Sequence, residues 1–279
     1  MFSKRLSMLA LLVMMIALAS LPRAAFAGGG PDKPSEVNNI VPEGLITPDL
    51  YEKEQQRSHE RKMREAEARK ARGDVTAQAV VLSVPGVSQH PCGAYCAQAA
   101  TQSVFYYKGQ YGYSLDQIRS WENPGNVGCS NPYGTCLLPI RDTLNARTPG
   151  LPWAGFYEAI RLNHDSLYWA AKDLEAKTKN TVGTYRMPLI ALVNPNPPDG
   201  TPYCLPGWCG GSTSVGHYLT INGYDGVYNG TDASARIYYR DSWYNPADQH
   251  WANTNNFADA IYYKDGSGSC TTARYNLIW

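Results

Sequence analysis

Seven cysteines stand in the chain, at Cys92, Cys96, Cys129, Cys136, Cys204, Cys209 and Cys270. In an exported protein, three disulfides would consume six of them and leave one thiol over. Cys96 is the candidate for that thiol. It opens a segment with helical periodicity, where unpaired backbone N–H groups and the positive end of the helix dipole favour a thiolate. A thiolate attacks carbonyl carbon, and a neighbouring imidazolium lowers its pKa further. Of the five histidines, His59 sits in a charged helix and reads as solvated, His164 and His250 lie in polar stretches, and His90 is close to Cys96 in sequence. His217 begins the strand-like run HYLTINGYDG, in which Leu219 and Ile221 share its face, so its ring points toward an apolar wall. Asp241, at the end of the following strand, is the candidate to orient that ring. Pairing Asp241 opposite His217 puts Tyr224 opposite Ser234 and leaves 225–233 as a connecting loop. Cβ atoms in such a pair lie about 5 Å apart, within reach of a carboxylate–imidazole bond. The bland alternative is a strand-capping aspartate and a satisfied core histidine. The joint arrangement with Cys96 argues against it, since triads are recognised by geometry and roles.

The elements that must hold these residues follow from periodicity. Val80 to Val84 reads as a short strand. Cys96 to Lys108 reads as a helix ended by Gly109, with Ala100, Val104 and Tyr107 at i, i+4 and i+7. A polar, turn-rich stretch spans Asn123 to Gly134. Helical patterns recur near Ile140 to Leu144 and from Leu167 to Lys177, and Met187 to Val193 is an apolar strand. Gly216 to Tyr224 and Arg236 to Trp243 flank a turn region beginning Asp225-Gly226, a long-looped hairpin. Helices first and strands later imply an α+β fold rather than a doubly wound sheet.

The segment Gln89-His90-Pro91-Cys92-Gly93-Ala94-Tyr95-Cys96 followed by Ala97 resembles the nucleophile segment of papain-like cysteine peptidases. His217, with apolar residues and then Gly223-Tyr224, resembles that family's histidine strand, and Asp241-Ser242-Trp243 its Asn-Ser-Trp. Tyr106-Tyr107-Lys108-Gly109, Gly216-His217 and Asp241 resemble the bacterial branch that includes the bacteriocin-leader-processing peptidases. The resemblance covers roughly residues 80 to 264. It implies a nucleophile helix packed on an antiparallel sheet, with Cys96 as nucleophile, His217 as general base and acid, Asp241 as orienter and Gln89 as oxyanion-hole donor. Gln89 lies seven residues before Cys96 where the family usually has six, which calls for a one-residue bulge. Cys92 is a rival nucleophile, rejected because Gln89 would then be only three residues away. The implied partner is a peptide or protein substrate, with no cofactor, no metal, no nucleic acid and no oligomeric state specified. Cell-wall amidases or endopeptidases and acyl transferases use the same triad, and a Tyr- and Trp-rich binding domain with an idle triad is a further alternative.

Zinc competes for Cys92/Cys96 and Cys204/Cys209, but neither pair has the two-residue gap of structural zinc sites, and export disfavours it. Cys129–Cys136 and Cys204–Cys209 lie in Gly- and Pro-rich loops that close easily, leaving Cys92 for Cys270. The family resemblance instead implies Cys92 with Cys129 or Cys136.

Export is read from Lys4 and Arg5, an apolar run from Leu6 to Leu21 broken only by Ser7 and Ser20, and Ala25-Phe26-Ala27, a signal peptide cut after Ala27. At roughly 16 residues the run is short for a spanning helix. No lipidation site or tail anchor is expected, so the mature protein is predicted to be secreted and free of the membrane. With 25 basic and 24 acidic side chains a basic nucleic-acid binder is excluded, and 43% apolar residues suffice for a core. Residues 28–76 read as a linker followed by one charged helix, from Thr47-Pro48-Asp49 to Gly73. Thirteen of the 21 residues from 52 to 72 are charged, with no apolar stripe, so the helix is expected to stand as a solvated stalk rather than a docked inhibitory propeptide. The remaining residues, 77–279, form the single domain that carries the chemistry. Within it, Asn194 to Gly216, with Cys204, Trp208 and Cys209, is expected to form a cleft wall.

Overall fold

The computed structural model describes residues 48–73, 78–129, 134–163, 165–196, 204–209, 216–231, 234–244, 247–262 and 275–279. The signal peptide, the linker before Thr47, His164, Cys270 and much of the Asn194–Gly216 wall lie outside these residues.

In chain order the elements are α1 (Pro48–Ala71), β1 (Ala79–Val81), α2 (Cys96–Tyr107), α3 (Leu115–Glu122), α4 (Leu137–Arg147) and β2 (Ala159–Ile160). They continue with α5 (Leu167–Thr178) and its π-helical extension Lys179–Thr184, then β3 (Leu189–Val193), β4 (His217–Gly226), β5 (Ala235–Asp241), β6 (Asp248–Asn253), α6 (Thr254–Tyr262) and β7 (Leu277–Ile278). The expected helices and the four expected strands are present, and the class is α+β. Ser114 and Ser166 cap α3 and α5 through hydrogen bonds from the N–H groups of Gln117 and Trp169. The strands form one antiparallel sheet in the order β2-β7-β3-β4-β5-β6, with β1 also on β4.

Strand β4 is the centre of the sheet. β5 pairs along one edge, while the other edge is shared between β3, over His217–Ile221, and β1, over Gly223–Asp225. Both faces are covered, so His217 to Tyr224 are all buried. Tyr218 joins the cluster with Ala97, Ala100, Val104, Ile140 and Ile190, the side where α2 packs. Leu219 and Ile221 join Leu174, Ile237, Tyr239 and Phe257, the side of α5 and α6. Gly223 is required where β1 crosses, since a Cβ there would stand 2.8 Å from the Val80 carbonyl oxygen.

The helix α1 departs from expectation: it docks. Lys62 is fully buried, donates to the Trp279 carbonyl at 2.7 Å and faces Glu158 at 3.4 Å. Its ammonium lies 4.3 Å from the centre of the Phe156 ring and 4.4 Å from that of Trp279. Burial pushes the Lys62 pKa down to about 8 against the opposing pull of Glu158. Ser58 accepts from Trp153 Nε1 and donates to the Phe156 carbonyl, and the Tyr185 hydroxyl donates to Glu65. His59, expected to be solvated, meets Glu158 at 3.1 Å and the edge of Trp279. The helix supplies polar groups at 58, 62 and 65, and the domain supplies the rings, so no apolar stripe on the helix was needed.

Candidate active site

Helix α2 begins at Cys96, with no side chain capping its N-terminus and no acidic residue in its first turn. The thiol at that end therefore sits in the positive end of the helix dipole without a local negative charge. Cys96 is the free cysteine among the described residues and is partly exposed. The turn before it is fixed by the Cys92 N–H to the Gln89 carbonyl at 2.9 Å and the Tyr95 N–H to the Cys92 carbonyl at 3.1 Å. Cys92 is bonded to Cys129, which removes it as a rival nucleophile and overturns the Cys129–Cys136 and Cys92–Cys270 pairings. The local Cys204–Cys209 bridge is present as expected, and Cys136 is also disulfide-bonded. The cysteines of both suspected zinc pairs other than Cys96 are thus engaged in sulfur–sulfur bonds.

His217 and Asp241 meet, by a different register from the one expected. Asp241 stands opposite Leu219, and Tyr224 opposite Ile237, with an irregularity between Ile221 and Gly223. The two-residue offset keeps Asp241 on the face of His217, and the contact is diagonal across the strands. His217 Nε2 lies 2.8 Å from Asp241 Oδ1, with both residues buried. That leaves Nδ1 of the ring for Cys96, with which His217 shares a side-chain hydrogen bond. The apolar wall expected around the ring is indole: Trp208 lies 5.0 Å from it and Trp243 6.5 Å, centroid to centroid.

The electrostatics follow from these contacts. Burial pushes the Cys96 thiol up, but the hydrogen bond and charge of His217, with the N–H groups of Tyr218 and Ala97, outweigh it and hold the pKa below its usual value. Burial likewise opposes the charged form of His217, yet the Asp241 carboxylate and Cys96 raise its pKa to about 10. Asp241 is pushed up by burial and pulled further down by His217, by Trp208 Nε1 and by the Trp243 N–H, so it stays ionised. Each of these contacts favours the charged form of the thiol and of the imidazole, with the carboxylate behind them.

Gln89 is fully buried between the two halves of the site. Its Oε1 accepts from Ser242 at 2.8 Å, its N–H donates to the Ser242 carbonyl at 2.9 Å, and its Nε2 donates one hydrogen to the Gly93 carbonyl at 2.6 Å. Gln89 thus ties the Asp241-Ser242 strand end to the turn that precedes Cys96. His90 is held at the Trp243 carbonyl, and His250 stacks on Tyr239, so neither joins the pair.

One contributor, Arg119, escaped the sequence reading, and another, Trp208, was placed in a cleft wall without its contact to Asp241. Arg119, fully buried, donates to the Ala94 carbonyl at 2.8 Å and covers the Tyr95 ring, bracing the turn into α2. Trp208 donates from Nε1 to Asp241 Oδ2 at 2.8 Å. A tryptophan inside a short cysteine-closed loop just ahead of the candidate histidine was the available signal for the second; the first had none.

No family model and no curated protein matches the sequence. Among solved structures, the chain is similar to the ragweed pollen cysteine protease Amb a 11 in its proform, at 11% identity and TM-score 0.40 over 74% of this chain. It spans 65% of that chain, just under two thirds of its length. It is also similar to the bromelain protease from Ananas comosus in complex with an inhibitor, at 18% identity and TM-score 0.37 over 72% of this chain and 97% of that one. A third is the recombinant stem bromelain precursor, at 15% identity and TM-score 0.35 over 84% of this chain and 93% of that one.

Proposed function

We propose that this chain is an exported cysteine peptidase of the papain-like fold, hydrolysing peptide bonds with Cys96 as nucleophile, His217 as acid and base, and Asp241 as orienter. The observation that carries the reading is the continuous line of contacts from a partly exposed thiol at a helix start, through a buried imidazole, to a buried carboxylate. Cys96 is partly exposed at the mouth of this line, while His217 and Asp241 are buried behind it.

In the first half-reaction the Cys96 thiolate adds to the peptide carbonyl carbon, and the carbonyl π electrons move to oxygen. The helix-start N–H and the second Nε2 hydrogen of Gln89 are the donors for that oxyanion, since the first hydrogen is committed to Gly93. The oxyanion collapses, the C–N bond breaks, and His217 gives its proton to the leaving amine. In the second half, His217 removes a proton from water, which attacks the thioester and restores the thiolate. Asp241 remains ionised throughout and stabilises the imidazolium.

Export through the signal over residues 1–27 belongs to this reading and is supported by the disulfides. So do a catalytic domain over 77–279 and kinship with the bacterial leader-processing branch, supported by Gly216-His217 and the aspartate at 241. A peptide-library digest by the mature protein, with Cys96→Ala as control, tests the function. Cleavage that vanishes in the variant is expected. A thiol-directed epoxide that modifies Cys96 near pH 6 no faster than a free peptide thiol would sink the proposal.

A further inference from the structure

The Asp241 carboxylate is fully buried, and both of its oxygens are engaged. Oδ1 faces His217 Nε2 at 2.8 Å and accepts from the Trp243 N–H at 2.8 Å, while Oδ2 accepts from Trp208 Nε1 at 2.8 Å. A carboxylate held by one oxygen alone can turn about its Cβ–Cγ bond; a donor on the second oxygen fixes the plane. Indole suits this task because it donates, never accepts, and carries no charge that would compete with the imidazolium. The ring also lies 5.0 Å from His217 and 5.4 Å from Trp243, so it covers the imidazole with apolar surface.

The segment that presents the indole is built to stay in place. The Cys204–Cys209 disulfide closes it, and Leu205, fully buried, anchors it in the core. Leu205 N–H donates to the Pro195 carbonyl at 2.9 Å, and Trp208 N–H to the Leu205 carbonyl at 3.0 Å. Gly207 has φ +86°, and a Cβ there would fall 1.6 Å from the Tyr244 hydroxyl oxygen, so the loop lies directly on the segment that follows Asp241.

We propose that Trp208 is a positioning residue that holds Asp241 in the plane of His217, and that the disulfide-closed loop 204–209 serves to place it there. This rests on the reading of Cys96, His217 and Asp241 as one catalytic unit. Loss of the N–H frees the carboxylate to turn, weakens its support of the imidazolium and so raises the pKa of the thiol.

The test is the pH dependence of Cys96 alkylation by iodoacetamide, together with kcat and KM on a peptide from the library digest. Trp208→Phe keeps a ring and deletes the donor. The expected result is an acid limb displaced upward by about one pH unit, a kcat lowered about tenfold and an unchanged KM. The Cys204→Ser/Cys209→Ser double variant, which leaves the indole intact but opens the loop, should move the same limb in the same direction. Profiles that match wild type in both variants overturn the proposal, as does a lower Tm with no displacement of the limb, which marks a merely structural role. A wild-type thiol no more reactive than a free peptide thiol at pH 6 removes the catalytic unit itself, an outcome told apart from failure of the Trp208 role alone.

Discussion

A histidine whose pKa stands at about 10, against its ordinary 6.5, fixes the alkaline side of the proposed reaction. His217 must be protonated to release the amine, so kcat/KM is expected to hold through neutral pH and to fall only as pH rises through about 10. Asp241→Asn removes the charge that raises this pKa, and the alkaline limb should move down by a unit or more; an unmoved limb in a pH–rate profile would contradict the assignment. A second buried acid lies outside the reaction. Burial raises the Glu122 pKa from 4.5 to about 8, opposed by donors on Thr101 and Gln98 and by the charge of Arg119. The folded state therefore binds this proton more tightly than the unfolded chain does. The associated stability is fully present below about pH 4.5 and declines until pH passes about 8. Thermal melts across that range should show a falling Tm in the wild type and a flatter trend in Glu122→Gln.

At the level of elements, the helix Pro48–Ala71 carries the sharpest expectation. Its removal uncovers Phe156 and Trp279 and strands Glu158, so a chain beginning at Thr76 should melt well below the mature protein. Lys62→Ala alone should cost about 3 kcal/mol in urea denaturation, the order seen when one partner of a buried ion pair is deleted. An unchanged midpoint in either case would mean that the docking contributes nothing. This helix was legible from its start at Thr47-Pro48 and its stop at Gly73, but its contacts were not, because its buried positions are serine and lysine. The helix α2 was legible throughout, since Ala100 and Val104 face the core where the spacing put them. The hairpin β4–β5 was legible as a pairing but wrong in register, by two residues at Asp241 and three at Tyr224, the third coming from the irregularity near Asn222, which leaves no mark in an alternating pattern. Strands of two residues, such as β2 and β7, are too short to show any period. In α6, the apolar pairs Phe257-Ala258 and Ala260-Ile261 carried a helical signal that went unread. The meeting of Cys96, His217 and Asp241 was legible because each combined a reactive side chain with a recognisable element boundary.

Over the whole molecule, the Cys92–Cys129 bridge joins the turn before α2 to the loop after α3 and encloses a separation of 37 residues. In the chain-entropy model a loop of that size is worth about 4 kcal/mol, so Cys92→Ser/Cys129→Ser should lose a comparable stability in denaturant melts. Peptide mapping without reduction should recover the Cys92–Cys129 linkage and a single alkylatable thiol at Cys96; a blocked Cys96 would contradict it. The central position of β4 has a further consequence, one of timing. The thiol arrives early in the chain and the imidazole late, on a strand whose edges are taken up by β1 and β3 on one side and β5 on the other. Such non-local pairing forms slowly, after the local helices. Until the sheet closes around β4, Cys96 has no imidazole beside it and Asp241 no ring to hold, so under the proposed function a half-folded copy would not yet cut its neighbours or itself. The topology acts as a safety catch, released only by the completion of the fold.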